Sequence, residues 1–282
     1  MEMVKAKVIL LALTLAAACA CSNRFSWEHF KIDGSRTGVT VPTAANVDTA
    51  IGTVDSAGVY TSPNGRVFSE GATPQVAKLL IGVQPDMARL KEVVAYAPKA
   101  MSKDKPESEL SNFIVDRVFE NVSRLCAPSG RKVDVAITNF GGIRVDIPQG
   151  DVLLDDIVSM LPFANYLCYV QLEGRDLRAI FEFMAENGVQ AVSGAKLVIH
   201  NKVLESAEVG GAPIDDNKLY GVATIDFLLD GGDGFKIARN AKDYMISDVR
   251  IGDAVLADIR ALTAAGKPLE YFTDGRVVRI KD

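Results

Sequence analysis

The chain has 282 residues, 48% apolar and 24% charged, with a net charge of −5. Those values describe globular material, enough for one large domain or two small ones, and exclude a disordered or fibrous chain. An acidic balance without a basic stretch excludes a nucleic-acid interface, although a local cationic pocket can still take a phosphate.

The first elements concern export. Lys5 and Lys7 precede an apolar run from Val8 to Ala18, short for a membrane span and typical of a signal-peptide core. The run ends in A-A-A-C-A-C-S, and small residues before a cysteine resemble a bacterial lipobox, where the Cys is lipidated after cleavage. Cys19 follows Ala16-Ala17-Ala18 and Cys21 precedes the polar S-N-R, so both are lipidation candidates. The other reading is an ordinary signal peptide whose cysteines leave with it. The favoured reading makes residues 1–21 a lipoprotein signal peptide. It also anchors the mature chain to a membrane outside the cytoplasm, in the periplasm or at the cell surface.

Residues 22–50 are polar and irregular, expected as a tether with a first short strand, and 51–282 as a single domain. Y-T-S-P-N-G-R-V-F (Tyr60 to Phe68) places turn chemistry between β-formers and predicts a hairpin. Thr73-Pro74 opens a helical pattern running to about Ala97, with Val76, Leu79, Leu80, Val83, Met87, Leu90 and Val93 as its expected buried face. A second helix spans Glu107 to Val122, with Leu110, Phe113, Ile114, Val118 and Val122 as its apolar stripe. Val133 to Ile137 and Leu167 to Leu172 read as buried strands. Asp176 to Asn187 reads as a helix capped by Gly188. Strands follow at Lys196 to His200, Val203 to Val209 and Tyr220 to Asp226, then a helix from Asp253 to Ala265 and a strand from Gly275 to Ile280. Helices alternating with strands, some paired as hairpins, predict a layered α/β fold with mixed sheets. Of the remaining cysteines, Cys126 and Cys168 either pair in an oxidising compartment or stay as buried thiols. No zinc-ligand spacing occurs.

Three short stretches at strand ends carry chemistry: N-F-G-G-I-R (Asn139 to Arg144), P-F-A-N (Pro162 to Asn165) and D-F-L-L-D-G-G-D-G-F (Asp226 to Phe235). Each alone also reads as a glycine turn or a core phenylalanine. As a set they supply two rings, two amides, one carboxylate and one arginine. Rings stack on a base, amides meet its edge, a carboxylate takes ribose hydroxyls, and the planar guanidinium suits phosphate. Gly141 and Gly142 let backbone N–H groups approach an anion.

In this order and spacing the stretches resemble the C-terminal domain of the 5′-nucleotidase family. E-G-R-D-L (Glu173 to Leu177), A-E-V-G-G-A-P-I (Ala207 to Ile214) and Y-G-V-A-T (Tyr220 to Thr224) add to the match, which covers Glu107 to Asp282. The resemblance implies an α/β/β/α layered fold and a domain that binds nucleoside and presents phosphate to a separate metallophosphatase. By position, it implies Phe163 and Phe227 around the base and Asn139 and Asn165 at its edge. Asp233 falls on the ribose, and Arg144 on the phosphate side. Where the family supplies further arginines, this chain has Lys103 and Lys105, which lack the bidentate fork.

The family's phosphatase half holds two metal ions with motifs such as N-H-[DE] and G-H-x-H. Neither occurs here, and the two histidines, His29 and His200, lie outside such motifs. The resemblance therefore implies no cofactor in these residues, and divalent metals only in a partner metallophosphatase chain. The function expected is the nucleotide- or nucleoside-binding half of a 5′-nucleotidase-type hydrolase. The alternative is a stand-alone nucleoside-binding lipoprotein without catalysis.

Overall fold

The structure is a computed structural model describing residues 37–40 and 46–282. The signal segment, Cys19, Cys21 and His29 lie outside the described residues. The chain divides into two compact units, Met1–Pro85 and Asp86–Asp282, and the segment 51–282 expected as one domain spans that division.

In the first unit, the described part of 22–50 holds a helical turn, α1 (Val47–Ala50), and most of that segment, with its expected short strand, lies outside the described residues. Strands β1 (Thr53–Val54), β2 (Tyr60–Thr61) and β3 (Val67–Phe68) form a three-stranded antiparallel sheet. The S-P-N-G hairpin forms as expected: Gly65 sits at φ 81° and its N–H reaches the Ser62 carbonyl at 2.8 Å.

The long helix expected from Thr73 to Ala97 is shorter. α2 spans Ala72–Met87, a 3₁₀ turn follows at Ala88–Lys91, and Val93–Ala97 is strand β4, paired with β6 (Gly150–Leu153). Helical spacing continues across the junction, but V-V-A-Y-A is β-branched and aromatic, and a sheet partner decided its state. The expected buried face is also corrected: Val76, Leu79, Leu80 and Val93 are all more than half exposed. Periodicity reports an apolar stripe, not what covers it.

The second unit is built on a five-stranded mixed sheet in the order β13-β7-β12-β5-β8, with β5 at Val135–Thr138, β7 at Tyr166–Glu173, β8 at Ala191–Ser193, β12 at Leu219–Ile225 and β13 at Asp243–Arg250. A four-stranded sheet holds β9 (Ala195–His200), β10 (Val203–Val209), β11 (Ala212–Pro213) and β14 (Val277–Ile280). Helix α3 (Glu109–Cys126) packs on the five-stranded sheet with its expected stripe, Leu110 to Val122, almost wholly buried. Its start is a reciprocal cap in which the Ser108 and Ser111 hydroxyls each accept the other's N–H. Helix α4 (Leu154–Met160) follows β6. Helix α5 (Gly174–Asn187) touches β7, β12 and β10, and ends at Gly188, whose φ is 132°. Helix α6 (Ile251–Ala264) packs on α3 and β4.

The mixed-sheet α/β class holds, and β10 has the expected bounds. Cys126 and Cys168 are free buried thiols, and burial pushes Cys168 up to about 12, far from reactive thiolate. His200 ends β9 on the surface, beside Asp282 at 2.8 Å.

Candidate functional site

Strand order gathers the three sequence stretches. β12 lies between β5, parallel to it, and β7, antiparallel to it. The C-terminal ends of β5 and β12 and the N-terminal start of β7 therefore emerge at one sheet edge. Asn139 follows β5, Pro162–Asn165 precede β7, and Asp226 follows β12. All eight expected residues, Asn139, Gly141, Gly142, Arg144, Phe163, Asn165, Phe227 and Asp233, line one cleft of about 240 Å³.

The two rings are not core residues. Phe163 is 48% and Phe227 44% exposed, whereas Phe140, in the same turn as Asn139, is buried. Apolar rings left half in water at a cleft are poised for a flat partner. Arg144 stands on the rim with its guanidinium carbon 5.9 Å from the Phe163 ring centroid, and its Nη1 donates to the Gly141 carbonyl at 3.2 Å.

Asn139 lines the cleft with its amide nitrogen already engaged. It is buried, and its amide Nδ2 donates to Asp233 Oδ2 at 2.7 Å, while its Oδ1 has no hydrogen-bond partner among the described residues. Asp233 sits at φ 49° inside G-G-D-G, in the left-handed region that Asp enters more readily than most side chains. The amide thus pins a carboxylate held on a strained turn, leaving Asp233 Oδ1 for another donor. A Cβ at Gly142 would lie 2.9 Å from Asn139 Oδ1, so any larger residue there must displace the Asn139 side chain.

Two positioning residues, Asp226 and Gln190, escaped the sequence reading, and Lys105 takes a place it did not foresee. Asp226 Oδ1 accepts the N–H of Tyr166 at 3.1 Å and of Phe227 at 2.8 Å, tying the two ring-bearing loops together. The buried Gln190 accepts the Phe140 N–H at 2.9 Å. Lys105 sits 5.3 Å over the Phe140 ring. The Asp directly after a strand and before Phe227 was a readable signal for a side-chain-to-backbone turn. The contacts of Gln190 and Lys105 with Phe140 join residues distant in sequence. Lys103 is also engaged, donating to the Ile143 carbonyl.

The donor set does not fit a dimetal centre. Among the described residues no three His, Cys, Asp or Glu side chains converge to hold a metal ion. A two-metal hydrolase needs many such ligands a few ångströms apart. The cleft sets two half-exposed rings beside one carboxylate and one guanidinium.

The sequence model of the family described as 5′-nucleotidase, C-terminal domain, matches residues 87–240, more than half of the chain. The chain belongs to this family. An apyrase of Tabanus yao is 30% identical over 183 residues, covering 55% of this chain and 33% of that protein. Protein UshA of Yersinia enterocolitica is 32% identical over 117 residues, 40% of this chain and 21% of that protein. The chain therefore spans about a third or less of the length of these curated relatives. The crystal structure of the 5′-nucleotidase precursor from Thermus thermophilus superposes with a TM-score of 0.63 at 25% identity, over 73% of this chain and 43% of that one. Among the described residues no helix is long and apolar enough to cross a membrane.

Proposed function

We propose that this chain is the nucleotide- or nucleoside-binding half of a 5′-nucleotidase-type hydrolase of nucleotide catabolism, and that a separate metallophosphatase chain supplies catalysis. The observation that carries the reading is the convergence of two half-exposed phenylalanine rings, an amide-held carboxylate and an arginine on one cleft. In this reading Phe163 and Phe227 take the two faces of a base, and Asn165 meets its edge. Asp233, oriented by Asn139, accepts ribose hydroxyls through Oδ1. Arg144 meets the phosphate. The glycine turn at Gly141 and Gly142 lets backbone approach the ligand.

In this reading the partner metallophosphatase chain supplies the metal ions and activates the water. Residues 1–21 act as a lipoprotein signal, with Cys19 or Cys21 lipidated, and the protein works in the cell envelope outside the cytoplasm.

Calorimetric titration of the mature chain with adenosine and AMP tests binding, and phosphate release from nucleoside monophosphates with Zn²⁺ or Mn²⁺ tests the division of labour. Saturable binding without phosphate release is expected, with release restored by a metallophosphatase partner. A wild-type chain that binds no nucleoside or nucleotide refutes the binding role. Metal-dependent release that persists through further purification refutes the need for a second chain.

A further inference from the structure

The turn that carries Asp233 also borders a second cleft, of about 270 Å³, through its next residue, Gly234. One wall is a face of α5, where Asp176, Ile180 and Phe183 recur at helical spacing. The opposite wall is the segment 234–240, with Phe235 and Ile237 buried beneath it. The Phe183 and Phe235 rings meet edge to face, centroids 4.9 Å apart, which gives the cleft an aromatic floor.

Two cations line the same space. Lys236 and Arg239 are exposed, and neither side chain has a hydrogen bond or ion pair among the described residues. The one acid in the lining, Asp176, already accepts the Asn240 amide at 2.6 Å. The cleft therefore pairs an apolar floor with unpartnered positive charge in a protein whose net charge is −5. A cavity of roughly 150 Å³ takes a benzene ring, so this space accommodates a ring with one anionic group attached.

We propose that this cleft is a second ligand site, for a single-ring aromatic anion such as an aryl carboxylate or aryl phosphate. The ring packs against Phe183 and Phe235, and Lys236 and Arg239 hold the anion, Arg239 through its guanidinium fork.

Calorimetric titration with phenyl phosphate tests this on the mature chain, beside inorganic phosphate as a charge-only probe and benzyl alcohol as a ring-only probe. Three proteins are compared: wild type, the double variant Lys236→Ala/Arg239→Ala, and the double variant Phe163→Ala/Phe227→Ala, which disables the first cleft. Phenyl phosphate should bind one to one to wild type and to the phenylalanine variant, and at least about tenfold more weakly to the Lys236/Arg239 variant. The two half-probes should bind far more weakly than phenyl phosphate. The substituted cations are exposed, so the variant is expected to melt with the wild type. Lack of saturable phenyl phosphate binding by wild type overturns the proposal. So does undiminished binding to the Lys236/Arg239 variant, binding lost in the phenylalanine variant, or equal binding of either half-probe.

Discussion

Replacing Phe227 by alanine separates the clamp from a core role in one experiment. With 44% of the residue exposed, a little over half of it is buried in the free protein. Fully burying a phenylalanine side chain contributes about 1.5–3 kcal/mol, so the stability at stake is on the order of 1 kcal/mol. For a unit the size of residues 86–282 that lowers Tm by about 2–4 °C. A core phenylalanine would instead cost about 3–5 kcal/mol on truncation. Binding should respond more strongly than folding. A ring stacked on a base contributes about 1–3 kcal/mol, so adenosine affinity should fall roughly ten- to a hundredfold. Calorimetric titration and a thermal melt of the same protein give both values. Unchanged adenosine affinity, or a melting loss of the size expected for a core residue, refutes the clamp.

Gly142→Ala places a Cβ against Asn139 Oδ1 and displaces the amide from Asp233, so nucleoside affinity should fall about tenfold with a small change in Tm; titration beside a melt checks it. Arg276→Ala removes a buried guanidinium that pairs with Asp116 at 2.7 Å and Asp274 at 2.8 Å, and should cost about 3–5 kcal/mol by urea denaturation. The Asp274 carboxyl is held below its ordinary range, first by hydrogen bonding to Arg276. Its contribution to stability is fully present above about pH 3.9 and is lost as pH falls through the lower folded value, so an acid titration of wild-type Tm should show a loss there that Arg276→Ala lacks. Replacing both Cys19 and Cys21 by serine should move the protein from the membrane fraction to the soluble one, and retention on membranes contradicts the lipid anchor.

Local chemistry was legible wherever the elements carried their own signal. The stripe of α3, the glycine cap of α5, the S-P-N-G hairpin and the bounds of β10 all follow from spacing and turn residues within a few positions. So did the composition of the candidate site, because N-F-G-G-I-R, P-F-A-N and G-G-D-G each end a strand or form a tight turn. The tertiary structure alone decided three matters. It turned Val93–Ala97 into a strand, since helical spacing and a β-branched run compete and the partner β6 lies more than fifty residues away. It left Val76, Leu79 and Leu80 exposed, since periodicity marks an apolar face without naming its cover. And it assigned Asn139 to Asp233 and joined the two ring loops through Asp226. Those bonds exist only because β12 pairs with both β5 and β7, a long-range choice that no local pattern encodes.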